Sequence, residues 1–446
     1  MPGPLKRLAV VEFVMSAGGV ERVLRGLARA LRDIPEAEEW DITFLLSRYN
    51  SAHHRCDWPA ELTGPNLHVE WLGEHNAVSR ALDPLAHAQG VFGSKLSRIP
   101  AFAAAKVARL VGPLRWRASL GDPYALISQA SERFDVMYFT YPFWMGVPPM
   151  RTPVVTTPQD FNFKFFQKPG TFTRWMLERS ARAWLERADR VLLSSHAVEA
   201  ELREFYPEHV SKAEVVHLGL DVDRPAPSAA EIAAVRAARG LPERFVLVSG
   251  WVVPHKNQLE VVRAVASLRE RGVDIPIVFV GPNTAHLTED AAPGFRSAYV
   301  EEVRAAMREA DLQLGRDYLA LGYVSDADIQ ALYRLATMFV CPSRYEGFGL
   351  PGLEAMRAGC PVLLSSIPPF EEQNRLLGGI IRTFDPNDAG ALADRIAWVL
   401  SQPAEVEEMT RLAAERVPLA YDWKKTARAY LAACDALVAA RGRLTA

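Results

Sequence analysis

The stretch Pro342-Ser-Arg-Tyr-Glu-Gly-Phe-Gly-Leu-Pro-Gly-Leu-Glu-Ala-Met-Arg-Ala-Gly-Cys-Pro-Val362 decides how this chain is read. It joins the end of a short apolar strand at 338–341 to the start of a helix near Pro351. Gly347 and Gly349 let the backbone turn tightly and approach a ligand with no Cβ in the way. Pro351 suits a first helical turn, where its missing N–H costs nothing, and Gly359 stands where the helix should end. Such a helix start leaves the amides around Phe348, Gly349 and Leu350 without helical partners, with the positive end of the dipole behind them. That is a ready diphosphate site. Glu346 lies in the loop, and Glu354, eight residues on, in the opening helical turns. Two acceptor carboxylates beside a phosphate-binding helix end suit sugar hydroxyls and not the phosphate.

Working outward, short apolar strands alternate with amphipathic helices along most of the chain, which predicts a parallel α/β architecture. The second half carries strands at 245–248, 277–280, 319–321, 338–341 and 362–364, with a loop at 250–256, a helix from about Gln258 and another at 326–335. The first half opens with a strand at 8–14, the pair Gly18-Gly19, and a helix with Val20, Val23, Leu24, Leu27 and Leu31 on one face. Further strands read at 42–46, 136–139, 154–156 and 191–194. The proline-rich run from Arg224 to Ser228 marks a linker. The expected division is therefore 1–222, 223–420, and a tail at 421–446 whose long amphipathic helix packs back on the first domain.

At 446 residues the chain exceeds what one core normally serves. Hydrophobic residues at 49% and charged residues at 23% are ordinary for a folded protein. A net charge of −2 argues against nucleic acid as a partner. Cys56, Cys341, Cys360 and Cys434 are scattered without a metal-ligand spacing, so they read as reduced thiols in a cytoplasmic protein. No signal-peptide pattern opens the chain, and every apolar run breaks well short of the ~20 residues that cross a bilayer.

The segment at 342–362 resembles the signature of family-four glycosyltransferases, retaining enzymes of the GT-B fold, in its E-G-F-G-L-P-x-x-E-A-M pattern. The resemblance implies two Rossmann-like domains facing across a cleft, with a C-terminal helix crossing back to the first. It gives Glu346 contact with hydroxyls of the donor sugar and Glu354 contact with the ribose, with Gly347, Phe348, Gly349 and Leu350 at the diphosphate. Gly250 to Asn257 resembles the family's G-R-x-x-x-x-K-N element, in which Lys256 neutralises diphosphate charge; Trp251 replaces the usual arginine. Gly18-Gly19 resembles the N-terminal glycine loop facing the diphosphate. The stretch from Gly322 to Ser325, including Val324, resembles the segment whose backbone pairs with the nucleobase. Gln159 and Asp160 fall where relatives carry a histidine–aspartate pair near the reacting carbon. A glutamine amide bonds a hydroxyl but shuttles no proton, so no histidine base is assigned, and His196 and His217 read as structural. Asp221-Val222-Asp223 has the D-x-D spacing of a manganese site in another fold, but here it matches a segment beside the linker. No metal and no cofactor are expected; a nucleotide-diphosphate sugar is the co-substrate.

From Pro84 to Gly121 there is no acid, while Lys95, Arg98, Lys106, Arg109, Arg115 and Arg117 accumulate among apolar residues. This reads as a basic amphipathic segment for peripheral contact with an anionic membrane or for a lipid-linked acceptor. The expected activity is transfer of a mannose- or glucose-type hexose to a saccharide or lipid-linked saccharide, in surface polysaccharide assembly. The rival is a non-catalytic glycosyltransferase-like subunit, which the departures at Trp251 and Gln159 favour and intact Glu346, Glu354 and Lys256 oppose.

Overall fold

The structure, a computed structural model, describes residues 4–12, 19–47, 58–72, 123–288 and 297–445. Gly18, Cys56 and the basic stretch from Pro84 to Gly121 lie outside the described residues. The chain forms two compact units, Met1–Gly219 with Asp422–Ala446, and Leu220–Tyr421.

The first unit holds β1 (Lys6–Glu12), β2 (Trp40–Ser47), β3 (Leu67–Leu72), β4 (Val136–Phe139), β5 (Val154–Thr156), β6 (Arg190–Leu193) and β7 (Ala213–Val215). Their order is β3-β2-β1-β4-β5-β6-β7, every pairing parallel. The second holds β8 (Val246–Ser249), β9 (Ile277–Val280), β10 (Tyr318–Ala320), β11 (Met338–Cys341), β12 (Val362–Ser365) and β13 (Arg382–Phe384). Their order, β10-β9-β8-β11-β12-β13, repeats the same parallel winding. In each sheet the winding reverses between two central neighbours, β1 and β4 or β8 and β11. Ligands of such sheets bind beyond the carboxyl ends of the strands at that reversal.

Central strands are legible because helices cover both faces and their runs are mostly apolar; β4, β9 and β11 are buried at every position. The strands missing from the sequence reading, β3, β7 and β13, are all sheet edges. Each is partly solvated and interrupted by polar residues, as in the Arg382-Thr383-Phe384 run, so it shows no continuous apolar signal. Other bounds move by a residue or two: 245–248 becomes Val246–Ser249, and 319–321 becomes Tyr318–Ala320.

The last helix, Trp423–Thr445, completes the first unit. A Cβ on Gly219 would lie 2.2 Å from the Trp423 backbone nitrogen, so the chain leaving this unit and the tail re-entering it run in contact. Thr426 Oγ1 donates to the His217 carbonyl at 2.8 Å. Gly26 lets the Trp423 ring pack directly against the helix Gly19–Asp33, where a Cβ would come within 2.1 Å of it. Tyr430 meets Tyr138 edge-on at 5.2 Å, and Lys6 reaches Asp435 at 2.5 Å. Burying large side chains such as Trp423, Tyr430 and Leu431 contributes about 1.5–3 kcal/mol each, which fixes the tail to the first sheet.

Candidate functional site

In the second unit the loops after β8 and β11 emerge side by side where the winding reverses. The β8 loop opens at Gly250 with φ 126°. The Gly250 amide donates to the Val280 carbonyl at 2.9 Å, and a Cβ on Gly281 would lie 2.5 Å from the Gly250 carbonyl oxygen. Gly281 in turn donates to the Gly322 carbonyl at 2.8 Å. The loops after β8, β9 and β10 are thereby laced at one level. Val324 is buried on the third of them, just before Ser325 caps the helix Asp326–Leu335.

Lys256 ends the single turn Pro254–Lys256, and Asn257 follows at φ 60°, a conformation that asparagine tolerates better than most residues. The buried Asn257 amide donates to the Pro342 carbonyl at 3.0 Å and the Pro386 carbonyl at 2.7 Å. Arg344 donates its backbone amide to the His255 carbonyl at 2.7 Å. These ties bring Lys256 Nζ to 2.6 Å from Glu346 Oε1, and Ser343 Oγ donates to the same oxygen at 2.7 Å. The two side chains are 22% and 11% exposed, so the pair is partly shielded from water and its attraction outweighs that of a surface pair. Cys341, against the same carboxylate, has its thiol pushed up to about 11 by burial and by Glu346.

The helix Leu350–Arg357 begins as the glycine pattern predicts: Gly349 caps it at φ 90°, Pro351 is in the first turn, and Gly359 follows its end at φ 78°. Gly347, Phe348, Gly349 and Leu350 are all buried. Gln373 Nε2 holds the Phe348 carbonyl at 2.6 Å. Glu354 is half-buried and accepts from the buried Tyr333 hydroxyl at 3.2 Å. Both signature glutamates are thus oriented by hydroxyls that the sequence reading gave no role, Ser343 and Tyr333. Trp251, in the place of the family's usual arginine, is 50% exposed. Arg344 is no substitute in this geometry, since its guanidinium faces the buried Glu260 carboxylate at 3.4 Å. Asp221 acts on the half-buried Arg357 guanidinium, which also donates to the carbonyls of Val222 and Arg224.

Burial, with the Lys256 charge, pushes the His255 imidazole down from 6.5 to about 4. The stability of its neutral ring is fully present above pH 6.5 and is lost as pH falls toward about 4, because the unfolded chain takes up the proton first. After allowance for partial exposure this is about 2 kcal/mol. Urea unfolding of wild type and His255→Gln at pH 7 and pH 5 checks it: wild type loses more stability than the variant across that interval. Equal losses would remove His255 from the account.

In the first unit Gly19 opens the helix Gly19–Asp33 and is exposed. Gln159 Nε2 donates to the Thr140 carbonyl at 3.2 Å, fixing the loop after β5 to the end of β4. Asp160 accepts from the Asn162 amide at 3.1 Å and the Tyr141 hydroxyl at 3.5 Å. Thr140 Oγ1 donates to Glu12, a carboxylate 2% exposed at the end of β1. In the sequence its one signal is a single acid inside the apolar 8–14 run. His196 Nδ1 lies 3.0 Å from Glu199 within its own helical turn. Gly19, Gln159 and Asp160 belong to this unit, and Lys256, Val324, Glu346 to Leu350 and Glu354 to the other.

Residues 17–224 match the family described as Glycosyltransferase Family 4, and residues 233–416 match that described as Glycosyl transferases group 1. The chain is 28% identical over 255 residues to the serotype-specific mannosyltransferase WbdA of Escherichia coli, across 55% of this chain and 28% of that protein. It is 29% identical over 218 residues to the D-inositol 3-phosphate glycosyltransferase of Salinispora arenicola, across 46% and 44%. The match thus spans less than half the length of these curated relatives. Anabaena HepE, solved in complex with UDP and glucose, superposes with a TM-score of 0.66 at 15% identity, over 97% of this chain and 100% of that one. That likeness carries the fold. With two parallel sheets of one winding order and a family match over each half, the chain belongs to the family-four glycosyltransferases of the GT-B fold.

Proposed function

We propose that this glycosyltransferase moves a mannose- or glucose-type hexose from a nucleotide-diphosphate sugar to a saccharide or lipid-linked saccharide acceptor, with retention at the anomeric carbon and without a metal ion. The Lys256–Glu346 pair carries the reading: a cation and a carboxylate, 2.6 Å apart, stand at the winding reversal beside a glycine-capped helix start. The cation and the helix amides stabilise the departing diphosphate, the largest charge the reaction develops. Glu346 holds sugar hydroxyls and Glu354 the ribose. The acceptor hydroxyl attacks from the face the leaving group vacates, and the leaving phosphate helps take its proton. Gln159 and Asp160 serve the acceptor side. WbdA's mannosyl transfer and HepE's UDP and glucose support hexose and nucleotide in general terms. Surface polysaccharide assembly at the cytoplasmic face of a membrane is the setting this chemistry suits.

The test is a thermal-shift and donor-turnover screen of the purified chain with UDP-glucose, GDP-mannose and their nucleoside diphosphates, in buffer with EDTA. One donor family should raise Tm and be slowly hydrolysed or transferred with chelator present. Binding without any turnover would favour a non-catalytic subunit, and turnover abolished by EDTA would overturn metal independence.

A further inference from the structure

Among the described residues of the first unit, the exposed large apolar side chains are Leu5 and four aromatics between residues 165 and 175. Phe172 is 59% exposed, Trp175 53%, Phe165 49% and Phe166 39%. They stand on the short helix Phe163–Phe166 and the first turn of the helix Phe172–Arg187. The Phe172 and Trp175 rings lie 5.6 Å apart, and those of Phe165 and Phe166 6.4 Å.

This exposure is built into a braced turn. Gly170 turns the chain at φ 77°, and Thr171 caps the second helix while its hydroxyl donates to the Lys168 carbonyl at 2.8 Å. The Arg174 guanidinium donates to the carbonyls of Lys164 and Gln167 at 2.9 and 3.2 Å. Phe163 is buried beneath. A turn tied this firmly, with one phenylalanine inward and four aromatic rings outward, presents those rings to a partner.

The surrounding charge says which partner. From 161 to 182 the sequence holds Lys164, Lys168, Arg174, Arg179 and Arg182 against Glu178 alone. Lys164 and Arg174 both answer Glu178, and Arg182 answers Glu208. The Arg179 guanidinium stands over the Trp175 ring at 5.8 Å. Aromatic rings beside surplus lysine and arginine match the boundary of an anionic bilayer, where rings settle at headgroup depth and the cations meet lipid phosphates.

We propose that the surface at residues 165–175 rests on an anionic lipid bilayer. The Gln159-Asp160 loop runs directly into it, so bilayer contact brings a lipid-linked acceptor to that loop; this last clause rests on the transferase reading, and the contact itself does not. In sequence it is separate from the basic stretch at 84–121.

Full-length protein is sedimented with vesicles of phosphatidylglycerol and phosphatidylethanolamine, or of phosphatidylcholine alone, with neither donor nor acceptor present. Wild type partitions to the anionic vesicles. Phe172→Ser/Trp175→Ser and Lys168→Glu/Arg179→Glu each lower that partition by about tenfold or more, with Tm unchanged because all four side chains are exposed. The proposal falls if wild type stays in solution, if both double variants partition as wild type, or if only replacement of Lys95, Arg98, Lys106 and Arg109 removes binding. It falls too if the aromatic variant keeps its partition but loses affinity for a soluble saccharide acceptor. Transfer to a soluble acceptor by wild type, measured separately, judges the transferase reading alone.

Discussion

Replacing Glu346 with alanine is expected to lower kcat about 100- to 1,000-fold, the scale on which one preorganised charged contact acts in a transition state. Glu346 Oε1 receives both the Lys256 ammonium and the Ser343 hydroxyl, so its position is set before substrate arrives. Alanine removes the carboxylate proposed to grip the sugar and also releases Lys256, which then no longer stands at a fixed place for the diphosphate. Folding should survive. Lys256 is 22% exposed and water can replace its lost partner, so the cost should lie between the ~1 kcal/mol of an exposed pair and the 3–5 kcal/mol, roughly, of a fully buried one. Glu346→Gln separates the two effects, since its amide still accepts from a hydroxyl but no longer neutralises Lys256. It should fall between wild type and alanine in kcat, with KM for the donor moving less than kcat. Circular dichroism and Tm confirm folding, and steady-state kinetics with the donor identified by the screen give the ratio. A variant with near-normal kcat would remove Glu346 from the chemistry.

How much of this was legible depends on how local each feature is. The strand, loop and helix around 338–362 were readable because Gly347, Gly349, Pro351 and Gly359 punctuate the chain where backbone sterics demand it. The Lys256–Glu346 contact was not: the two residues are 90 positions apart, and only the adjacency of β8 and β11 joins them. Family resemblance named both but did not pair them. Asn257 was visible as part of a pattern, yet its clamp on Pro342 and Pro386 depends on a positive φ that no spacing reveals. Glu12 reads as one acid inside an apolar strand, and nothing local tells that Thr140 holds it. The edge strands β3, β7 and β13 lacked continuous apolar runs because their side chains are partly solvated. The aromatic turn at 163–175 failed in another way, since composition cannot say that Phe163 faces inward while Phe165 and Phe166 face out.

The second large effect is expected at Gly349, where alanine should destabilise the second unit by about 3 kcal/mol. Two costs combine there. The residue sits at φ 90°, in the left-handed region where a Cβ is strained. That Cβ would also fall 2.3 Å from Phe370 Cε1, and Phe370 is fully buried, so the ring has no open side to move toward. Relief must come from moving the helix Pro368–Leu376, which also carries Gln373, the residue holding the Phe348 carbonyl at 2.6 Å. Relaxation would therefore pull apart the helix start that is proposed to bind the diphosphate, and donor affinity should drop together with stability. Gly359→Ala supplies the control: it shares a positive φ of 78° but nothing lies within 4 Å of its Cβ, so it should cost only about 1 kcal/mol and spare donor binding. The excess of Gly349→Ala over Gly359→Ala in urea unfolding measures the clash. Phe370→Leu in the Gly349→Ala background should recover part of that excess, because the smaller side chain vacates the space the Cβ needs. Equal costs for the two glycine variants would mean that the ring yields easily, and the packing of Phe370 on Gly349 would then have no part in holding the helix start in place.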